Sequence, residues 1–225
     1  MELLVVSVPI RSLPAEIGNL RNLRAISITG SPEISIPGEL GNVQSLERLS
    51  LEKCNLSSVP TELANLHSLI ELDLSENRLA SIPTELAGIL QLRKLVLRQN
   101  CLCEIPTAIF GMANLRFLSV SKNFITVVPV DFEILANLEV LDLSGNDIAE
   151  IPDCVGSMPS LKEMFICGNR LSGLPRTFDS NHVLCSIHVD QYLVDILDVD
   201  SYAFQVFKNN WNDEDIFDTK PARWI

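Results

Sequence analysis

Cysteine, histidine and acidic side chains are the residues of this chain with the chemistry to catalyse a reaction or hold a metal. Six cysteines (Cys54, Cys101, Cys103, Cys154, Cys167, Cys185) and three histidines (His67, His182, His188) are scattered along it. Cys185, His188 and Asp190 are close in sequence, as a thiol, a base and an orienting carboxylate could be. A cysteine–histidine dyad needs hydrogen-bond reach, and residues two apart on a strand do no more than share a face. Cys101-x-Cys103 has no second pair at zinc-finger distance. The chain has no phosphate-binding loop, dinucleotide fingerprint or nucleophile elbow. The sequence therefore implies no catalytic site, metal or cofactor. Asn55-Leu56-Ser57 fits a glycosylation sequon but has no secretory context to give it meaning.

Charge and interleaved apolar residues are more informative. The 225 residues carry a net charge of −12, which disfavours nucleic acid or an anionic membrane as the main partner. Yet Arg93, Lys94, Arg98, Arg116 and Lys122 fall close together. Val96, Phe117, Val140 and Phe165 lie near them, at positions that alternation leaves facing water. Apolar and aromatic residues beside arginines make the usual centre of a protein-binding surface. Arg93, Lys94, Val96, Arg98, Phe117, Lys122, Val140 and Phe165 are thus the candidate partner-binding residues, suited to a protein with an acidic and apolar patch. A second arrangement remains open: Glu71 and Asp73 neutralise Lys94 across the strands, and Phe117 and Phe165 cover each other.

Positioning these residues falls to a repeat. LIELDLSENRLASIPTELAGILQ at Leu69 recurs after 23 residues as LRKLVLRQNCLCEIPTAIFGMAN, and again from Leu115, Leu138 and Leu161. Earlier copies start at Leu46 and Leu23. A fixed period of this size specifies a solenoid. In L-x-x-L-x-L, alternation sends leucines inward and the intervening residues to the opposite face. The ninth position holds Cys54, Asn77, Asn100, Asn123, Asn146 and Asn169, whose short polar side chains can satisfy backbone groups where each strand turns away. Eight prolines, Pro14 to Pro175, share the same spacing. Their fixed φ and missing N–H suit the irregular side of each unit. Two columns, from Ile17 and from Leu20, close the core on that side.

The unit resembles the leucine-rich repeat family over nearly the whole chain, and its -x-I-P-x-x-L- segment is similar to the intracellular Ras-group and plant types. The resemblance implies an α/β solenoid shaped as a horseshoe. Its concave face is a parallel sheet, its convex side is irregular and 3₁₀, and a short C-terminal cap closes it. It implies a non-enzymatic interaction scaffold in signal transduction, binding a protein through the concave face. Alternatives are the recognition part of a ubiquitin ligase or phosphatase complex, or a pathogen effector acting on host signalling proteins. Scattered cysteines without cysteine-rich caps point to a cytoplasmic location.

The solenoid is expected over residues 1–189 as eight to nine repeats, with an acidic, aromatic cap over 190–225. Residues 1–22 read as a truncated first repeat. Leu3, Val5, Val8, Ile10, Leu13 and Pro14 stand in the columns of Ile26, Ile28, Ser31, Glu33, Ile36 and Pro37. Ser31-Pro32-Glu33 should loosen the second turn. The ninth unit reads as one last strand, followed by a short helix in which Ala203, Val206, Phe207 and Trp211 share a face, capped by Ser201. No apolar run reaches the roughly 20 residues of a membrane span. A monomer or weak oligomer is expected, since an uncovered first repeat could stack on a copy of itself.

Overall fold

The computed structural model describes residues 2–6, 9–180, 182–196 and 205–209. Within them the chain forms one open parallel sheet whose strands follow chain order. These are β1 (Glu2–Val6), β2 (Leu23–Thr29), β3 (Arg48–Glu52), β4 (Glu71–Asp73), β5 (Lys94–Val96), β6 (Phe117–Ser119), β7 (Val140–Asp142), β8 (Glu163–Phe165), β9 (Ser186–Asp190) and β10 (Gln205–Asn209). Register follows the repeat: Arg48 faces Glu71, Glu71 faces Lys94, and Lys94 faces Phe117. Every inward leucine therefore lies over its counterpart one unit away. Leu49, Leu72, Leu95, Leu118 and Leu141 are at most 1% exposed.

The return path explains the prolines. Pro14, Pro37, Pro60, Pro83, Pro106 and Pro129 each sit at the start of a five-residue 3₁₀ turn, with φ between −55° and −76°. The carbonyls of Pro14, Pro37, Pro60, Pro83 and Pro106 each accept the N–H three residues on, as Pro106 does from Ile109 at 3.1 Å. Pro152 instead opens the one-turn helix α1 (Asp153–Gly156). These turns stack on the outer side and bury Leu40, Leu63, Leu86, Ile109, Phe132 and Phe178 completely. Leu20, expected in the same lining, is 42% exposed.

The ninth position is a ladder of buried amides. Asn123 directs Nδ2 at the carbonyls of Leu97, Val120 and Ser121 (3.0, 2.9 and 3.1 Å), while its Oδ1 accepts the N–H of Leu102 at 3.0 Å. Asn77, Asn100 and Asn146 repeat the pattern. Cys54 donates its thiol to the carbonyls of Glu52 (3.2 Å) and Ile28 (3.6 Å). Where the ninth unit has Tyr192, the phenol reaches the carbonyls of Asn169 and Leu171 at 3.2 and 3.1 Å. The ring thus bridges the distance that an asparagine spans in earlier units.

Two expectations fail at the ends. Leu4 and Val6, not Leu3 and Val5, align with Ile26 and Ile28, so Leu3 and Val5 are 54% and 56% exposed. All of residues 3–6 are apolar, so alternation could not choose between two registers that differ by one residue and reverse the faces. The second correction concerns the C-terminal end. β9 is not the last strand, and the helix expected across 203–211 is not formed over 205–209. Instead the short helix α2 (Gln191–Ile196) is followed by β10, which pairs in parallel with β9 from Gln205–Ser186 to Asn209–Asp190. β10 thereby takes up the backbone donors and acceptors that the edge of β9 would otherwise leave open, and Val206 packs on the core. The sheet therefore extends beyond residue 189. Ser201, Ala203, Trp211 and the rest of the expected cap lie outside the described residues. The second turn does differ from the rest: Ser31 is fully buried, its Oγ accepting the N–H of Ile10 at 3.3 Å, and Ile34 takes the core place of Glu33.

Candidate interaction surface

Alternation places two rows on the open face of the sheet. In the first, Arg48, Glu71, Lys94, Phe117, Val140, Glu163 and Ser186 follow one another across strands β3 to β9. In the second, Ser50, Asp73, Val96, Ser119, Asp142, Phe165 and His188 do the same. With strands about 4.8 Å apart, immediate neighbours in a row touch and third neighbours lie roughly 15 Å away.

The register brings Lys94, Phe117 and Val140 together, all half-buried. The Lys94 ammonium lies 5.3 Å from the Phe117 ring centre, an attraction between a cation and the negative face of an aromatic ring. Among the described residues no ion pair joins Lys94 to Glu71 or Asp73. Glu71 is its neighbour in the row, but the long side chain turns toward Phe117. Arg98 lies two residues beyond Val96 on the same side and is half-buried, whereas Arg93 is exposed at the rim. Lys122 is separated from these. It occupies the left-handed turn after β6, with φ +53°, where the chain has already left the strand.

Val96 and Phe165 belong to the other row, divided by Ser119 and Asp142. Both of these outward-facing positions are buried, at 2% and 0% exposure. Ser119 Oγ donates to Asp142 Oδ2 at 2.6 Å, and Ser144 donates to Oδ1 through its hydroxyl and its N–H. Burial pushes the Asp142 carboxyl above the ordinary aspartate range, against the pull of the hydroxyls and the amide. The centre of the face is thus a closed hydroxyl–carboxylate cluster flanked by apolar side chains.

Phe165 does not cover Phe117. Its ring stacks on His188, with centroids 4.2 Å apart and planes 17° apart, and His188 stacks on Phe207 at 4.9 Å and 13°. His188 Nε2 also lies 3.2 Å from Glu163 Oε1. Its burial lowers the imidazole pKa, opposed by the Glu163 hydrogen bond and charge. In sequence, Cys185 and Asp190 are the thiol and carboxylate nearest His188, too close along one strand to make a dyad. Cys185 is exposed, with its thiol directed at the Val183 carbonyl (3.4 Å), and Asp190 accepts the Gly168 N–H at 2.8 Å. Among the described residues, no hydrogen bond joins the Cys185 thiol to the His188 imidazole. Phe207 was missed because its strand was read as a helix; its only sequence signal is the alternation in Gln205-Val206-Phe207.

Ion pairs line one edge of the face. Glu139 bridges Arg116 at 3.1 Å and Lys162 at 2.6 Å, and Lys162 is the first cause of the lowered Glu139 pKa. Cross-strand ion pairs thus join second positions of neighbouring units, Arg24 to Glu47 and Arg116 to Glu139 to Lys162. Among the described residues, no group of three metal-ligating side chains is arranged to hold an ion, and no helix is long and apolar enough to cross a membrane. All six cysteines are free thiols.

Residues 44–102 and 91–148 match a family model described as leucine rich repeat. Among solved structures, a leucine-rich repeat protein of Leptospira interrogans is 27% identical with a TM-score of 0.68, covering 89% of this chain and 54% of that one. Internalin C2 of Listeria monocytogenes is 24% identical with a TM-score of 0.71, covering 82% and 78%, a likeness of fold alone. The Arabidopsis receptor kinase HAESA, solved in complex with a peptide hormone and a co-receptor, is 28% identical with a TM-score of 0.67, covering 84% and 33%. The chain thus spans about half the length of the Leptospira protein and a third of the receptor. No curated protein sequence matches it.

Proposed function

Because the chain belongs to the leucine-rich repeat family, we propose that it is a non-enzymatic binding module that holds a partner polypeptide on the sheet face. The contact is centred on Lys94, Val96, Phe117 and Val140, with Phe165 at one side and Arg93, Arg98 and Lys122 at the basic margin. The observation that carries this reading is Lys94 over Phe117 beside Val140: an ammonium not consumed by its acidic neighbour, next to apolar side chains that the core does not need. An arginine-free anchor of this kind still offers charge and apolar area together. The matching ligand is acidic and partly apolar. A peptide ligand has a precedent of fold in the receptor HAESA.

The site as proposed lies in a reducing, cytoplasmic setting, consistent with six free thiols. Recognition within a larger enzyme assembly uses the same face and differs only in what the partner does next.

The test is affinity capture from cell lysate, read by mass spectrometry. One bait is the wild type; the other carries Lys94→Glu, Arg98→Glu, Phe117→Ser and Phe165→Ser, with unchanged circular dichroism. Partners retained by the wild type alone support the sheet face as the site. Partners retained equally by both baits overturn it.

A further inference from the structure

The outer side of the sixth repeat departs from its neighbours. Phe124, Val127, Val130 and Ile134 are 57%, 68%, 65% and 53% exposed. One unit later the same positions hold Asp147, Glu150, Asp153 and Ser157. The core does not need the four apolar residues, because Ile125, Val128, Phe132 and Leu135 already close it at 5% exposure or less. The stripe descends from the turn after Asn123 to the end of the 3₁₀ segment Val130–Ile134. Six extended residues at about 3.3 Å and four at about 2.0 Å give it a length of up to roughly 28 Å. Exposed apolar area concentrated on one unit marks a contact surface.

Charge decides what fits there. The outer segments 101–114, 124–137 and 147–160 contain Glu104, Asp131, Glu133, Asp147, Glu150 and Asp153, with no Lys or Arg. Asp147 is drawn off by Arg170 at 2.7 Å; the other five acids are exposed. The nearby Cys154 thiol is raised first by burial and then by the charges of Glu133 and Asp131, which registers a negative field on this side. A second copy of the chain would bring two acidic rims together. The acidic C-terminal segment, with Asp213, Glu214, Asp215 and Asp218, is repelled likewise, as is an anionic membrane.

We infer that this outer stripe docks a partner polypeptide whose large apolar residues are flanked by lysine or arginine. This surface is independent of the sheet face: the sheet face offers bases to an acidic ligand, and the outer stripe offers acids to a basic one. The two therefore differ in the sign of charge they select.

The probe is a phage-displayed random peptide library, selected on the immobilised full chain. Counter-selection uses Val127→Ser/Val130→Ser/Ile134→Ser, a variant of exposed residues whose melting temperature is checked. Selected peptides are then titrated by fluorescence polarisation. The expected result is enrichment of peptides with two or more large apolar residues next to Lys or Arg. Their affinity should fall at least tenfold on the triple serine variant, and also on Glu104→Gln/Asp131→Asn/Glu133→Gln. It should weaken as salt is raised and be unchanged by Lys94→Glu/Phe117→Ser, which separates this surface from the sheet face. Enriched peptides that lack bases, or that bind both variants as well as the wild type, overturn the inference. So does the absence of any peptide that distinguishes wild type from the serine variant. A concentration-dependent dimer in sedimentation velocity that the serine variant abolishes overturns it in favour of a second copy.

Discussion

The Lys94 ammonium stands 5.3 Å from the centre of the Phe117 ring, across the β5–β6 pairing that sets the two residues opposite each other. The repeat makes this possible. A 23-residue period puts equivalent positions one strand apart, so a cation in one unit meets an aromatic ring in the next. Glu71, on the other side of Lys94 in the same row, is available but unused.

This contact predicts a measurable coupling. In a double-mutant cycle of Lys94→Met and Phe117→Leu, chemical denaturation should give an interaction of about 0.5–1 kcal/mol, the usual range for an accessible cation and ring. Additive single effects would mean that the pair does not interact in solution. The same cycle with Glu71→Gln in place of Phe117→Leu should give the smaller coupling.

The asparagine ladder predicts a gradient of stability costs. Asn123→Ala leaves the buried Leu102 N–H without its side-chain acceptor and takes one of two side-chain donors from the Leu97 and Val120 carbonyls, which keep Asn100 and Asn146. A buried group left without a partner costs about 1–3 kcal/mol, so the loss should exceed that of an ordinary surface change severalfold. Asn169→Ala makes the same type of loss where the groups are only partly buried, and should cost less. Equal losses, measured by urea unfolding, would count against burial as the cause.

The central units were readable because several columns agree: the leucines, the asparagines and the prolines each impose the same register, and a one-residue slip would break all three. Legibility ended where the columns ended. Residues 3–6 are apolar on both parities, so no polar position pinned the first strand. β10 comes 19 residues after β9, from Ser186 to Gln205, without leucine or asparagine marks to announce it. On the sheet face, alternation placed Ser119 and Asp142 outward but could not foresee their burial. That depends on neighbouring strands and on hydroxyls clustering around one carboxylate, which a single unit does not encode. The candidate residues Lys94, Val96, Phe117, Val140 and Phe165 were readable as outward positions of two rows, while the turn geometry that removes Lys122 from them depends on a positive φ.

The Asp142 cluster makes a prediction about pH. Burial raises the native pKa above the ordinary value of 3.8, so the folded chain holds its proton more tightly than the unfolded chain. Stability from this group is therefore fully present below the ordinary value and is lost as pH rises through the raised one. Relative to Asp142→Asn, the wild type should lose stability as pH is increased from 3.8 upward. Thermal unfolding of both proteins across a pH series measures the difference. The opposite slope would show that the Ser119, Ser121 and Ser144 hydroxyls and the Ser144 amide outweigh desolvation.

The last residue of each strand's turn offers a gain rather than a loss. Gly30, Lys53, Glu76, Gln99, Lys122, Gly145 and Gly168 all have φ between +53° and +71°, one per unit at 23-residue spacing. A side chain in this left-handed conformation costs about 1–2 kcal/mol that glycine does not incur. Against this, glycine loses more backbone freedom on folding. Gln99 is exposed, and its N–H donates to the Ser121 carbonyl at 2.8 Å, a bond that a substitution of the side chain leaves intact. Gln99→Gly should therefore raise stability by about 0.5–1 kcal/mol, visible as a higher urea midpoint with an unchanged slope. Its control is Gly145→Ala, which puts a side chain into the same conformation in a later unit and should lower the midpoint by a similar amount. If Gln99→Gly is destabilising while Gly145→Ala is neutral, the left-handed turn is not a source of strain in this repeat.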